Sequence, residues 1–214
     1  HAEASLRWAG NSMTTNGVSF SRSTTVISIV RQGDSAHVGS LETTEVDPAL
    51  LPELVAASQA AARSAPAARD NFALPAGTTG PDDWDGPTPG TGAEVFGSLA
   101  TELARGFRGP DALYGFAHHT VETTFLATST GVRRRWEQPT GSVEINAKRD
   151  GASAWAGVST PWFAEVDAEA LLAELSTRLG WAARTVELPA GRYETIMPPS
   201  TVSDMMIYLM WTMD

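Results

Sequence analysis

Four histidines, His1, His37, His118 and His119, are the first residues to weigh for chemistry. His1 is terminal and His37 lies near a turn, and neither has a carboxylate at metal-ligand spacing. His118 and His119 are adjacent, so on a strand they point to opposite faces and cannot both ligate one ion from that strand. Glu122 follows three residues after His119. One imidazole of the pair can serve a peptide- or anion-binding site; the plainer alternative is one satisfied strand histidine and one exposed neighbour. A zinc site needs three or more convergent ligands, and the spacings in this chain do not assemble them. The second cluster is Arg133-Arg134-Arg135 beside Trp136, a dense positive run in an acidic chain. On a strand Arg133 and Arg135 share a face, where two guanidinium forks would clamp a carboxylate or another anion. The alternative is a solvated face whose arginines pair with the surplus of acids. Nucleophile and phosphate motifs are missing. Ser129-Thr130-Gly131 is not a G-x-S-x-G elbow, nor is any other segment. Gly86-Pro87-Thr88-Pro89-Gly90-Thr91-Gly92 contains two prolines without N–H donors, and no Lys-Ser/Thr pair follows.

Composition narrows the partners. A net charge of −10 over 214 residues argues against a general binder of nucleic acid or anionic membrane, because phosphate contacts need a basic face. It leaves room for a basic or peptidic partner. The absence of cysteine excludes disulfides, thiolate zinc sites and cysteine nucleophiles within this chain. No stretch has the length of a transmembrane helix, and the start lacks a basic-then-apolar signal pattern, which together predict a cytoplasmic protein.

The elements that must position these residues fall into four stretches. Residues 1–64 read as a β-meander plus a helix. Ala4–Ala9 alternates, Asn16-Gly17 predicts a tight turn, and Val26, Ile27, Ile29 and Val30 are β-branched. Gly33-Asp34 turns into the strand around His37, and Asp47 with Pro48 opens a helix whose apolar residues run from Leu51 to Ala62. Residues 65–92 are rich in Pro, Gly, Asp and Ala, with no periodicity beyond Asn71–Leu74, and predict a crossover pinned by Trp84. Residues 93–197 form a second α+β portion. A helix carries Val95, Phe96, Leu99, Leu103 and Phe107 on one face, and several strands follow from Leu113, with a turn expected at Pro139–Gly141. Asp167 caps a third helix, and strands are expected at Trp181–Leu188 and Tyr193–Met197. Runs of strands relieved by helices point to an α+β fold with antiparallel, strand-rich sheets and packed helices.

Residues 198–214 read as the start of a helix that is apolar on every face, from Met205 to Met213. Such a helix belongs inside protein or membrane. About nine residues span roughly 14 Å, too short for a bilayer core. The expectation is therefore that Met206, Ile207, Leu209, Met210 and Trp211 contact a second polypeptide, either a complementary C-terminal domain absent from this sequence or another chain.

Taken in order, Ala2–Asn11 with Asn16-Gly17, Tyr114–Phe116 through Gly131, Gln138–Gly141, Ala154–Gly157 and Leu188–Thr195 running into Pro198–Asp204 resemble the TldD/PmbA family. The resemblance, closest to the actinobacterial members, covers essentially the whole chain. It implies the N-terminal half of a protein roughly twice this length, with a TldD/PmbA N-terminal-domain-like fold. It further implies a metallopeptidase that trims peptides, including antibiotic precursors, and that pairs a TldD subunit with a TldE (PmbA) subunit around a shared chamber. TldD subunits carry a His-Glu-x-x-x-His helix after the strand that Tyr193–Met197 resembles, supplying zinc ligands and a carboxylate that activates water. Here Val202–Met213 contains neither histidine nor glutamate. The chain thus resembles the noncatalytic partner, with no zinc or other cofactor of its own and zinc held by the TldD-type subunit. The rival reading is a stand-alone binding protein or enzyme for a small acidic ligand, using His118, His119 or the Arg133–Arg135 cluster.

Overall fold

The computed structural model describes residues 1–45, 47–70, 72–77 and 84–213. Asn71 and residues 78–83 of the expected crossover, Val46, and Asp214 at the end of the apolar helix lie outside the described residues. The chain divides into two units, 1–183 and 184–214.

In the first unit, five antiparallel strands form one sheet. They are β1 (Ala2–Trp8), β2 (Met13–Phe20), β5 (Ala112–Ala127), β6 (Arg133–Arg149) and β7 (Ala152–Ser159), in the order β2-β1-β5-β6-β7. Strict alternation sorts the faces: Ala2, Ala4, Leu6 and Trp8 of β1 are buried, while Glu3, Ser5 and Arg7 are not. Leu113 and Ala117 of β5 and Val143, Ile145 and Ala147 of β6 join them on the core face. Against this face pack α2 (Gly97–Gly106), through Leu99 and Leu103, and α3 (Ala168–Ala182), through Leu175 and Leu179. Asp167 caps α3 by accepting from the Ala170 N–H at 2.8 Å, as its sequence predicts. The architecture is α+β.

A smaller layer joins β3 (Thr24–Gln32) and β4 (Ser35–Thr43), turned at Gly33-Asp34, to α1 (Leu51–Ser64). Of α1 only Ser58 and Ala62 are buried. They sit where Gly39 of β4 lets the helix backbone approach; a Cβ there would lie 3.0 Å from the Ala61 carbonyl carbon and closer still to Ser58 and Ala62 backbone atoms. Ser58 shares a hydrogen bond with Ser28 of β3.

Three sequence expectations change. The first hairpin turns at Ala9–Ser12, not at Asn16-Gly17, which lies within β2 opposite Leu6 and Ser5. Gly10 and Asn11 take positive φ there, and the Asn11 amide ties the turn to the Asp111 carbonyl and the Leu113 N–H. Pro139–Gly141 is not a turn but the middle of β6, with Pro139 opposite Val121. β7 flanks only Ser142–Arg149, so β6 is an edge at Pro139, where a missing N–H is tolerated. Trp181 and Ala182 belong to α3, and residues 184–198 form neither of the two expected strands. The second unit contains α4 (Pro199–Trp211), opened by Pro199 in its first turn, and within it no residue is buried.

Candidate functional site

β5 and β6 pair over sixteen consecutive positions, from Ala112 opposite Lys148 to Ala127 opposite Arg133. This register decides where every sequence-predicted site residue of the first unit lies. His118 and His119 fall on opposite faces, as adjacency on a strand requires.

His119 points into the core. It is 7 % exposed, packs edge-on against Phe163 at 5.9 Å, and its Nδ1 lies 2.6 Å from Thr91 Oγ1. Gly141, directly opposite on β6, makes this possible: a Cβ there would meet Thr160 O at 2.6 Å and the Phe163 ring at 2.7 Å. Burial lowers the His119 pKa below its ordinary 6.5, opposed by a hydrogen bond to the Pro161 carbonyl and reinforced by His118. A neutral ring donating from one nitrogen and accepting on the other satisfies both partners. His119 is a structural clamp joining the 91–96 turn, β5 and the Pro161 loop.

His118 lies on the open face. Its Nδ1 is 3.2 Å from Ser142 Oγ, and its ring stacks on Phe116 with centroids 6.0 Å apart. The open face is continuous along the hairpin: Tyr114, Phe116, His118, Thr120 and Glu122 lead on to Thr124 and Leu126, with Glu144 and Trp136 across from them. Trp155 of β7 donates to Glu144 on this face at 3.2 Å. Trp136 is 66 % exposed.

The structure brings Arg133 and Arg135 to one face, as alternation predicts, but directs both at the crossover. Arg135 donates to the carbonyls of Gly86 (2.9 Å) and Pro87 (2.6 Å), pairs with Glu137, and lies over Phe125. Arg133 lies over Trp84, which meets Phe125 edge-on at 5.2 Å. Trp84 thus pins the crossover, as its place in a Pro/Gly-rich segment suggests. His1 lies 3.8 Å from Glu3, and His37 holds the Ala65 carbonyl at 2.7 Å. Among the described residues no group of three His, Asp or Glu is placed to hold a metal ion. Met206, Ile207, Leu209, Met210 and Trp211 lie on α4, unburied within their unit.

Sequence reasoning passed over Glu3, Ser5 and Arg7, the polar half of β1, which share the open face with His118. The signal was present in the alternation of Ala2, Ala4, Leu6 and Trp8 with them.

No protein-family model matches the chain, and no curated protein matches it. Solved structures do. TldE from Thermococcus kodakarensis superposes with a TM-score of 0.59 at 12 % identity, over 86 % of this chain and 43 % of that one. The chain's fold is similar to that part of TldE. A Thermotoga maritima protein described as a modulator of a DNA gyrase aligns over 83 % of this chain and 41 % of its own, at 9 % identity and a TM-score of 0.49. The chain spans less than half the length of either solved protein. Among the described residues no helix is long and apolar enough to cross a membrane.

Proposed function

We propose that this chain is the noncatalytic, peptide-binding scaffold portion of a TldE-type subunit, acting in the cytoplasm with a TldD-type catalytic subunit as a metallopeptidase. The observation that carries this reading is the fold shared with TldE over 86 % of the chain. The sequence supports the noncatalytic half of the pair. In the helix where the TldD/PmbA resemblance expects His-Glu-x-x-x-His, Val202–Met213 contains neither histidine nor glutamate. On this reading the chain leaves zinc to its partner: among the described residues His118 and His119 face opposite sides of the sheet, and His37 is engaged with a backbone carbonyl. Metal and water activation belong, on this reading, to the partner subunit. The chain's own contribution is a surface for extended peptide, either along the outer edge of β2 or β7 by backbone pairing or across the open face around His118.

Co-expression with a TldD-type subunit tests the assignment. The expected result is a complex of defined mass that survives size exclusion, with zinc retained by the TldD-type subunit. Two species that elute apart, with zinc bound stoichiometrically by this chain alone, would overturn it.

A further inference from the structure

The open face holds a groove of about 330 Å³ that runs along β1. Its floor is low because Ser5 lies opposite Gly17 of β2, where open space surrounds the missing side chain. The β5 wall is the stacked pair Phe116 and His118, the latter held by Ser142. The two ends carry opposite charge. Glu3, 3.8 Å from the exposed His1 ring, lines one end and Arg7 the other, and four residues at about 3.3 Å per residue set their Cα atoms about 13 Å apart. The Arg7 guanidinium rests over the Phe116 ring, 5.9 Å from its centroid, and among the described residues no carboxylate pairs with it.

We propose that this groove binds a short peptide with both termini free, three or four residues long, its ammonium at Glu3 and its carboxylate at Arg7. Length follows from the spacing of Glu3 and Arg7 along β1. The two charges of a single amino acid lie too close to reach both ends, whereas an extended chain spans about 3.3–3.6 Å per residue, so three or four residues cover about 10–14 Å. Chemistry follows from the end groups. The planar guanidinium fork matches a carboxylate, and its stacking on Phe116 pre-orients it. Glu3 repels the uniformly anionic ligands that an arginine alone would accept. Ser5, His118 and Thr120 offer polar contacts between the ends, and Phe116 offers an apolar one. The proposal rests on the peptide-handling reading, since short peptides with free ends are what a trimming peptidase releases.

The test is titration of the purified chain with tri-alanine, N-acetyl-tri-alanine and tri-alanine amide, followed by amide NMR shifts at residues 3–7 and 116–120. Tri-alanine should shift these resonances and saturate, and each capped form should bind about two- to fivefold more weakly, the scale of one exposed charge pair. Arg7→Gln should abolish the preference for the free acid over the amide, and Glu3→Gln the preference for the free amine over the acetylated form. The proposal is overturned if tri-alanine leaves residues 3–7 and 116–120 unshifted, if either cap binds as tightly as the free peptide, or if either variant keeps its discrimination. A chain that fails here yet assembles with a TldD-type subunit loses the groove and keeps the subunit assignment.

Discussion

Arg135→Ala should release the crossover from the sheet. The Arg135 side chain is 5 % exposed, and its guanidinium donates to two carbonyls, of Gly86 and Pro87. Hydrogen bonds involving a charged group contribute about 1.5–3 kcal/mol each. The Glu137 pair adds little, because Glu137 is 42 % exposed and screened by solvent. Losing the cation over Phe125 costs about another 0.5–1 kcal/mol. Water replaces part of what the carbonyls lose, so the net destabilisation is about 2–4 kcal/mol, felt first in residues 84–92. Urea unfolding reads it directly: the unfolding free energy should fall by about 2–4 kcal/mol, while the far-UV spectrum of the folded chain is kept. Arg135→Lys should recover only part, since one ammonium cannot hold two carbonyls in a planar fork. If Arg135→Ala leaves the unfolding free energy unchanged, the arginine is not a staple, and the anion-clamp reading of the cluster gains ground.

His119 makes stability pH-dependent. Its folded pKa is held below 6.5, so above 6.5 the ring is neutral in both states and its contribution is complete. As pH falls below 6.5 the unfolded chain takes a proton that the fold resists, and stability drops by at most about 1.4 kcal/mol per pH unit until the folded pKa is passed. Urea unfolding at pH 7.5 and 5.5 should show a larger loss for the parent than for His119→Gln; equal losses would refute the assignment. Gly39→Ala should push α1 off β4 and cost about 1–3 kcal/mol in thermal unfolding, whereas Gly97→Ala, with open space around its Cβ, should cost nothing. In α4, Ile207→Asp with Met210→Asp should abolish association with a second polypeptide; each apolar side chain that such contact fully buries contributes about 1.5–3 kcal/mol. Light scattering that finds parent and double variant alike as monomers, with and without a TldD-type subunit, would refute that interface.

Local chemistry made much of this fold legible. Caps at Asp47 and Asp167, the Gly33-Asp34 turn and the apolar face of α2 follow from side-chain donors, glycine conformations and helical spacing. The adjacency of His118 and His119 alone assigned them to opposite faces. What sequence hid was long-range. Asn16-Gly17 has the chemistry of a hairpin turn, but Asn11 reaches residues a hundred positions away and fixes the turn earlier. Pro139 reads as a break until β6 is seen to be an edge at that position. Arg135 reads as an anion site because the carbonyls it holds lie nearly fifty residues upstream. Glu3 and Arg7 acquire meaning only when β5 is laid beside β1.

On the function proposed above, this chain supplies scaffold and peptide surface while a TldD-type subunit supplies the metal chemistry. Peptide cleavage by each subunit alone and by the two together, with added zinc and an unstructured peptide, tests it most directly. This chain alone should be inert, and cleavage should require the TldD-type subunit and be enhanced by adding this one. Robust, chelator-sensitive cleavage by this chain in isolation would contradict it.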